Sequence, residues 1–133
     1  MMPPFNKNGY LPPGIHKASL EEIAERFGWQ SESRVAQMDS VRRLVDLARR
    51  AGVKRLVLNG SFVTAVPEPN DVDCVLLTGF DFPMDAAAQL ELRVGLPFLE
   101  IQVVDQVDFD RLTEIFFATD RNLSAKGMIE VLL

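Results

Sequence analysis

Two aspartates, Asp71 and Asp73, stand two residues apart in a stretch of alternating polar and apolar residues. In a β-strand, the side chains of residues i and i+2 lie on the same face, and their backbone positions are about 6 to 7 Å apart. Two carboxylates at that spacing repel each other unless a cation lies between them. Mg²⁺ prefers carboxylate oxygens and completes its coordination with water and phosphate oxygens. The pair therefore predicts a magnesium site that a phosphorylated ligand would complete.

Gly60 and Ser61 come before this acidic pair, directly after an apolar run that predicts a buried strand over residues 54–59. Glycine lets a phosphate approach the backbone closely, and serine offers both a hydroxyl and an amide. In-line transfer of a phosphoryl-linked group needs positioning and charge neutralisation more than covalent help. The Gly-Ser pair therefore predicts contact with phosphate.

The two pairs together form a longer pattern, because nine residues separate Ser61 from Asp71. This pattern resembles the signature of the nucleotidyltransferase superfamily related to DNA polymerase beta, in which Gly-Ser or Gly-Gly precedes Asp-hydrophobic-Asp-hydrophobic. The resemblance covers roughly residues 53–104. It implies that Gly60 and Ser61 touch the nucleotide phosphates, that Asp71 and Asp73 hold magnesium, and that a third acid comes from a later strand.

Glu100 is the candidate for that third acid, since it lies inside a strand predicted over residues 97–104. There it would ligate magnesium and help to deprotonate the acceptor. Asp105, at the far end of the same strand, is the competing candidate. Glu100 as a solvated residue on an open sheet face is a further interpretation.

The proline-rich start with the first helix, together with residues 116–121 and 126–127, looks like a group of small bacterial nucleotidyltransferase-like proteins. This second resemblance extends the likeness over most of the chain and adds no substrate. The superfamily resemblance implies Mg-dependent transfer of a nucleoside monophosphate, most simply AMP, from a nucleoside triphosphate to a hydroxyl of a small molecule or protein. A second hypothesis is a catalytically silent module of the same fold, such as an antitoxin-like partner of a HEPN-domain toxin. A plain binding domain for a basic partner is the third, and it leaves the Gly-Ser pair unexplained.

Composition narrows the class of protein. With 133 residues, 47% of them hydrophobic, the chain fits one compact domain, residues 1–133, on which a proline-rich arm, residues 1–18, packs. A net charge of -5 argues against an extended nucleic-acid surface. The single Cys74 and single His16 exclude a disulfide framework and the usual histidine metal clusters. Without a long apolar run or a signal-peptide pattern, we expect a cytoplasmic protein with no membrane partner.

The elements that would position these residues follow from periodicity. The predicted class is α/β (α+β), a nucleotidyltransferase fold with a mixed sheet of about four strands and helices mainly on one face. A capping box at Ser19 and Glu22 begins a short helix that ends at Gly28. The other predicted helices cover residues 33–50, 85–94 and 109–118, and the strands cover 54–59, 71–78, 97–104 and 127–132.

Two predicted faces matter for the site. The second strand carries Asp73 and Val75 on one face and Cys74 on the other, so the thiol is expected in the core. The long helix is predicted to bury a stripe made of Val35, Met38, Val41, Val45 and Ala48.

Near the end of the chain, Arg121 and Lys126 could reach phosphates or remain solvated.

Overall fold

The computed structural model describes residues 2–133 as a mixed α/β protein with a five-stranded mixed sheet. The strands are β1 (Gly14–Ala18), β2 (Val53–Asn59), β3 (Val72–Thr78), β4 (Leu99–Val104) and β5 (Gly127–Val131). The helices are α1 (Leu20–Phe27), α2 (Glu32–Ala51), α3 (Ala86–Val94) and α4 (Gln106–Arg111), and a π-helical turn, Leu112–Phe116, continues α4. In the sheet order β1-β5-β2-β3-β4, the β1–β5 and β3–β4 pairs are parallel and the others antiparallel.

The helices divide unequally between the two faces of the sheet. Helices α1, α2 and α3 contribute to a large apolar cluster on one face, which includes Met38, Leu58 and Cys74. A smaller cluster on the other face joins Val57 and Val75 to Phe109 of α4. The prediction of helices mainly on one face is therefore confirmed, and α4 lies on the second face, which also carries the acids.

Local capping explains where α1 and α2 begin. The Ser19 hydroxyl accepts a hydrogen bond from the Glu22 amide at 3.2 Å, and the Glu22 carboxylate accepts one from the Ser19 amide at 3.1 Å. Helix α2 begins after Ser31, whose hydroxyl accepts from Arg34 N, and ends at Gly52 with φ +86°. Both predicted helices are confirmed, with α2 one residue longer at each end.

The predicted stripe of α2 is wrong at one position. Val35 is 46% exposed, whereas Arg34 is 3% exposed and shares the buried face with Met38 and Val41. An arginine occupies a core-facing position because backbone carbonyls of a neighbouring loop surround its guanidinium group. That loop belongs to the candidate site.

The proline-rich arm contains a strand that the sequence analysis did not predict, which makes the sheet five-stranded rather than four-stranded. Strand β1 pairs only with β5, at the edge of the sheet. Leu11, just before it, is fully buried, and its carbonyl accepts a hydrogen bond from Gly127 N at 3.0 Å. The last proline of the arm is Pro13, so all five residues of β1 have amides that can pair.

Sheet register brings chemistry-bearing residues to one end of the sheet. Asp73 pairs with Glu100 across the parallel β3–β4 ladder and with Asn59 across the antiparallel β2–β3 ladder. Asp71 lies just outside, since β3 begins at Val72 and not at 71 as predicted. Over residues 2–133, none of the helices has both the length and the apolar character needed to cross a bilayer.

Candidate functional site

The turn after β2 brings the backbone of Gly60 against the carboxylate of Asp73. Gly60 has φ +85°, and a Cβ atom added there would lie 2.5 Å from Asp73 Oδ2. Residues Ser61–Val63 then form a single 3-10 turn, in which Thr64 Oγ1 donates to the Ser61 carbonyl at 2.7 Å. Position 60 must therefore be glycine to leave space for the Asp73 carboxylate, whether or not a phosphate also approaches the turn.

Asp73 is the electrostatic centre of this end of the sheet. Burial raises its pKa to about 6, and the neighbouring Glu100 adds to the rise through a side-chain hydrogen bond and through its negative charge. The charge of Asp71 acts in the same direction, while that of Lys126 opposes it. Two carboxyl groups in contact favour sharing a proton when no cation separates them. The Asp73–Glu100 pair is thus where a cation would bring the greatest electrostatic relief.

The structure brings two of the three predicted acids together. Asp71 is exposed and acts on Asp73 through its charge. Within residues 2–133, no group of three or more His, Cys, Asp and Glu side chains is arranged to hold a metal ion. The metal donors available are therefore the carboxylates of Asp73 and Glu100, with Asp71 nearby. This set leaves most of an octahedral shell to water and ligand oxygens.

Asp105 lies at the opposite end of β4 from Glu100. The ladder between β3 and β4 begins at Leu99, paired with Val72, and ends at Val104, paired with Leu77, so Asp105 follows at the far edge. Its carboxylate caps α4 by accepting a hydrogen bond from Asp108 N at 3.0 Å. Helix α4 consequently begins earlier than the predicted residue 109. Glu100, and not Asp105, is the acid beside Asp73.

Asn59 is a buried polar residue across the strand pair from Asp73. It is 1% exposed, and neither its Nδ2 nor its Oδ1 has a hydrogen-bond partner among residues 2–133. Its pairing and the alternation of β2 place its side chain on the face that carries Asp73. Buried amides without partners are costly and uncommon. This amide is an independent indication that the end of the sheet accommodates a polar ligand or water.

Two buried side chains of α2 hold the loop that joins Gly60 to Asp73. The Arg34 guanidinium donates hydrogen bonds to four backbone carbonyls, those of Phe27, Phe62, Thr64 and Val66. Gln37 Nε2 donates to the Pro69 carbonyl at 2.6 Å. Burial lowers the pKa of Arg34, yet an arginine stays charged. These bonds attach the loop between the Gly-Ser turn and the acids to α2.

The sequence analysis missed both of these residues. The signal for Arg34 is spacing, because it lies four residues before Met38 and seven before Val41, on the same helical face. A cation on an apolar stripe indicates a buried hydrogen-bonding role when loop carbonyls are within reach.

A cleft of about 550 Å³ opens beside Asp73. Its other walls are Phe116, Phe117, Thr119, Asp120, Arg121 and Lys126. Lys126 is half-buried and Arg121 is exposed, so the cleft combines two acids, Asp73 and Asp120, with two cations. Such a combination suits a ligand with several negative charges that is bound together with a divalent cation.

The remaining candidates occupy structural positions. His16 lies in β1, and its Nε2 is 2.7 Å from the carbonyl oxygen of Pro12. Cys74 is buried on the opposite face from the acids, where burial raises the pKa of its thiol. The expectation of a core thiol is confirmed.

The model of DUF6932, described as a family of unknown function, matches residues 3–132. No curated protein matches the chain, and no solved structure does.

Proposed function

We propose a function from the site itself, because the chain belongs to DUF6932, a family of unknown function. The proposed function is Mg-dependent nucleotidyl transfer on a nucleotidyltransferase fold. A nucleoside monophosphate, most simply AMP, would pass from a nucleoside triphosphate to a hydroxyl of a small molecule or protein. The resemblance of residues 53–104 to the superfamily signature supports this proposal.

The observation that carries the proposal is the pairing of Asp73 with Glu100 beside Gly60. Two chain-distant acids meet there, and the pKa of Asp73 is raised to about 6 by burial and by its acidic neighbours. The Gly60 backbone leaves room for the Asp73 carboxylate and no side chain. Asn59 supports the same interpretation, since its amide is buried without a partner on the same face.

The donor set fits magnesium. Carboxylate oxygens of Asp73 and Glu100 would hold the ion, with Asp71 as a further ligand or as a nearby charge. When bound, Mg²⁺ supplies charge neutralisation on the phosphate oxygens. Gly60 and Ser61 would position the phosphates at the turn.

The residues of the chain would then handle the acceptor. Its hydroxyl oxygen forms a bond to the α-phosphorus, the bond from that phosphorus to the bridging oxygen breaks, and pyrophosphate leaves. The proton of the hydroxyl goes to the Glu100 carboxylate, which acts as general base. Asp71, Asp73 and Glu100 are the proposed catalytic residues.

Thermal melts test the proposal directly. Wild-type protein is heated with ATP, GTP, CTP or UTP, each with magnesium and with EDTA. A ligand that binds only the folded state adds about 2.7 kcal/mol at a hundredfold excess over Kd, and in a domain of this size that raises Tm by several degrees. We expect this rise with magnesium, and we expect Asp73→Asn to lose it.

The matched control is Asp81→Asn, an exposed aspartate beyond the other end of β3. It should keep the full magnesium-dependent rise. If wild type shows no such rise with any triphosphate at millimolar concentration, nucleotidyl transfer is wrong, and the catalytically silent interaction module becomes the better hypothesis.

A further inference from the structure

We propose that residues 112–126 form the nucleotide-binding wall of the cleft, with Lys126 and Arg121 on the phosphates and Phe116 stacked against the base. The inference rests on the proposed function and deepens it by assigning parts of the substrate to named side chains. Neither the resemblance of residues 53–104 nor the family match assigns a role to this segment.

The first support is where the cleft lies and how large it is. It opens beside Asp73 on the α4 face, and its volume of about 550 Å³ is in the range of small-molecule sites. Every other lining residue comes from residues 116–126. The wall begins at a π-helical turn, Leu112–Phe116, a distortion of the helix that is frequent at functional sites.

The two cations of the wall are available to a ligand. None of the ion pairs formed among residues 2–133 involves Arg121 or Lys126. Lys126 lines the same cleft as Asp73, so a ligand in the cleft can reach both side chains. A polyphosphate that reaches from Lys126 to the metal site would pair its negative charges with the lysine ammonium and with the bound cation.

Phe116 gives the cleft an aromatic surface. Its side chain is 67% exposed, while the adjacent Phe117 is buried in the smaller apolar cluster. The two rings meet edge to face, with centroids 5.0 Å apart and an interplanar angle of 87°. An exposed ring that is anchored in this way offers a π-face to a base without distinguishing one base from another.

The loop that carries the cations is held in place before a ligand binds. The Asp120 carboxylate accepts hydrogen bonds from the amides of Asn122 and Ser124, both at 2.9 Å, and from the Tyr10 hydroxyl at 2.8 Å. Thr119 and Ala125 pair across the loop. Preorganisation of this kind reduces the entropy lost on binding. It also gives the arm a role, because Tyr10 belongs to it.

Calorimetric titration separates the two assignments. The titrants are ATP, CTP and inorganic tripolyphosphate, each with magnesium and with EDTA. Lys126→Gln and Arg121→Gln should each weaken all three titrants about tenfold, since each removes a charged phosphate contact. Phe116→Ala should weaken ATP and CTP about tenfold and leave tripolyphosphate unchanged, and Phe116→Trp should restore the loss.

Matched controls lie at the other end of the molecule. Lys54→Gln removes an exposed lysine at the start of β2, and Phe80→Ala removes a fully exposed ring beyond β3. Both variants should bind all three titrants as wild type does.

The outcomes separate this inference from the proposed function. If wild type binds ATP with magnesium and the wall variants bind it equally well, the wall assignment is overturned and nucleotidyl transfer stands. If wild type shows no dependence on magnesium, but Lys126→Gln loses tripolyphosphate and Phe116→Ala loses nucleotide in EDTA, the wall assignment stands without the metal site. No binding of any titrant by wild type overturns both.

Discussion

At the scale of single residues, the contact between Gly60 and Asp73 has the clearest consequence. A Cβ at position 60 would lie 2.5 Å from Asp73 Oδ2, on a backbone with φ +85°. Gly60→Val should therefore displace the carboxylate, strain the backbone by about 1 kcal/mol or more, and abolish binding of Mg-triphosphate. Calorimetric titration of the folded variant with Mg-ATP measures the loss.

Gly95→Val is the matched control for the backbone strain of placing valine at a positive φ. Gly95 has φ +95°, and an added Cβ there meets nothing within 4 Å. This variant should lose stability but retain ATP affinity. Equal affinity in Gly60→Val and wild type would contradict the proposed role of the turn.

Ionisation of Asp73, which the proposed function needs, lowers the stability of the metal-free protein. The pKa of Asp73 is about 6 in the folded state against 3.8 for an ordinary aspartate, so the folded state binds the proton more tightly than the unfolded chain does. The free energy of unfolding contributed by this group is greatest below pH 4 and falls as pH rises from about 4 to about 6. Asparagine, which does not ionise, escapes that loss.

Asp73→Asn should consequently stabilise the metal-free protein at pH 7.5, by about 1 to 2 kcal/mol after allowing for solvent screening of a half-exposed carboxylate. At pH 4 the variant and wild type should melt together. Thermal melts in EDTA at both pH values check this, with Asp81→Asn as the exposed control. A lower Tm for Asp73→Asn at pH 7.5 would mean that the carboxylate is structurally required.

At the scale of elements, α2 determines the shape of the loop after β2. Removing the Arg34 guanidinium leaves the carbonyls of Phe62 and Thr64 without their buried donor. Arg34→Met should cost about 2 to 4 kcal/mol of stability. It should also speed hydrogen exchange of the amides in residues 61–66, which mass spectrometry resolves. Arg42→Met, an exposed arginine of the same helix, should change neither.

The two ends of β4 should behave differently. Glu100→Gln should lower the rate of transfer more than it lowers triphosphate affinity, because the acid beside Asp73 acts on the acceptor. Asp105→Asn should do little, because asparagine also caps a helix and the residue lies at the opposite edge. Separate kcat and Kd measurements decide the point. Loss of transfer in Asp105→Asn alone would show that the third acid is assigned to the wrong end.

At the scale of the whole molecule, the arm contributes to the core although most of it has no regular secondary structure. Leu11 is fully buried, and the carbonyl of Gly9 accepts a hydrogen bond from Ala65 N at 2.9 Å. Leu11→Ala should cost about 2 to 5 kcal/mol, the usual range for a buried leucine. Denaturant unfolding measures the loss. Leu90→Ala, at a position 60% exposed on α3, should have a small effect, and equal costs would mean that the arm is detached.

The sequence by itself determined the elements whose signals lie within a turn or two. Ser19 with Glu22, and Ser31 with Gly52, mark helix ends through contacts between near neighbours. Alternation in 71–78 predicts Val75 and Cys74 on opposite faces, which the two apolar clusters confirm. The Gly60-Ser61 and Asp71-Asp73 pairs were visible for the same reason, since each is a local pattern.

Only the tertiary structure decided which distant residues meet. Strand β1 was missed because its partner, β5, lies more than a hundred residues away, and no local pattern in a proline-rich arm reports that pairing. Arg34 was missed because its acceptor at Thr64 is 30 residues along the chain. Glu100 and Asp105 were both open candidates until strand register placed one beside Asp73 and the other at a helix start. Side-chain periodicity assigns a face within a strand, but register and burial depend on contacts between distant segments, so the site exists only in the folded chain.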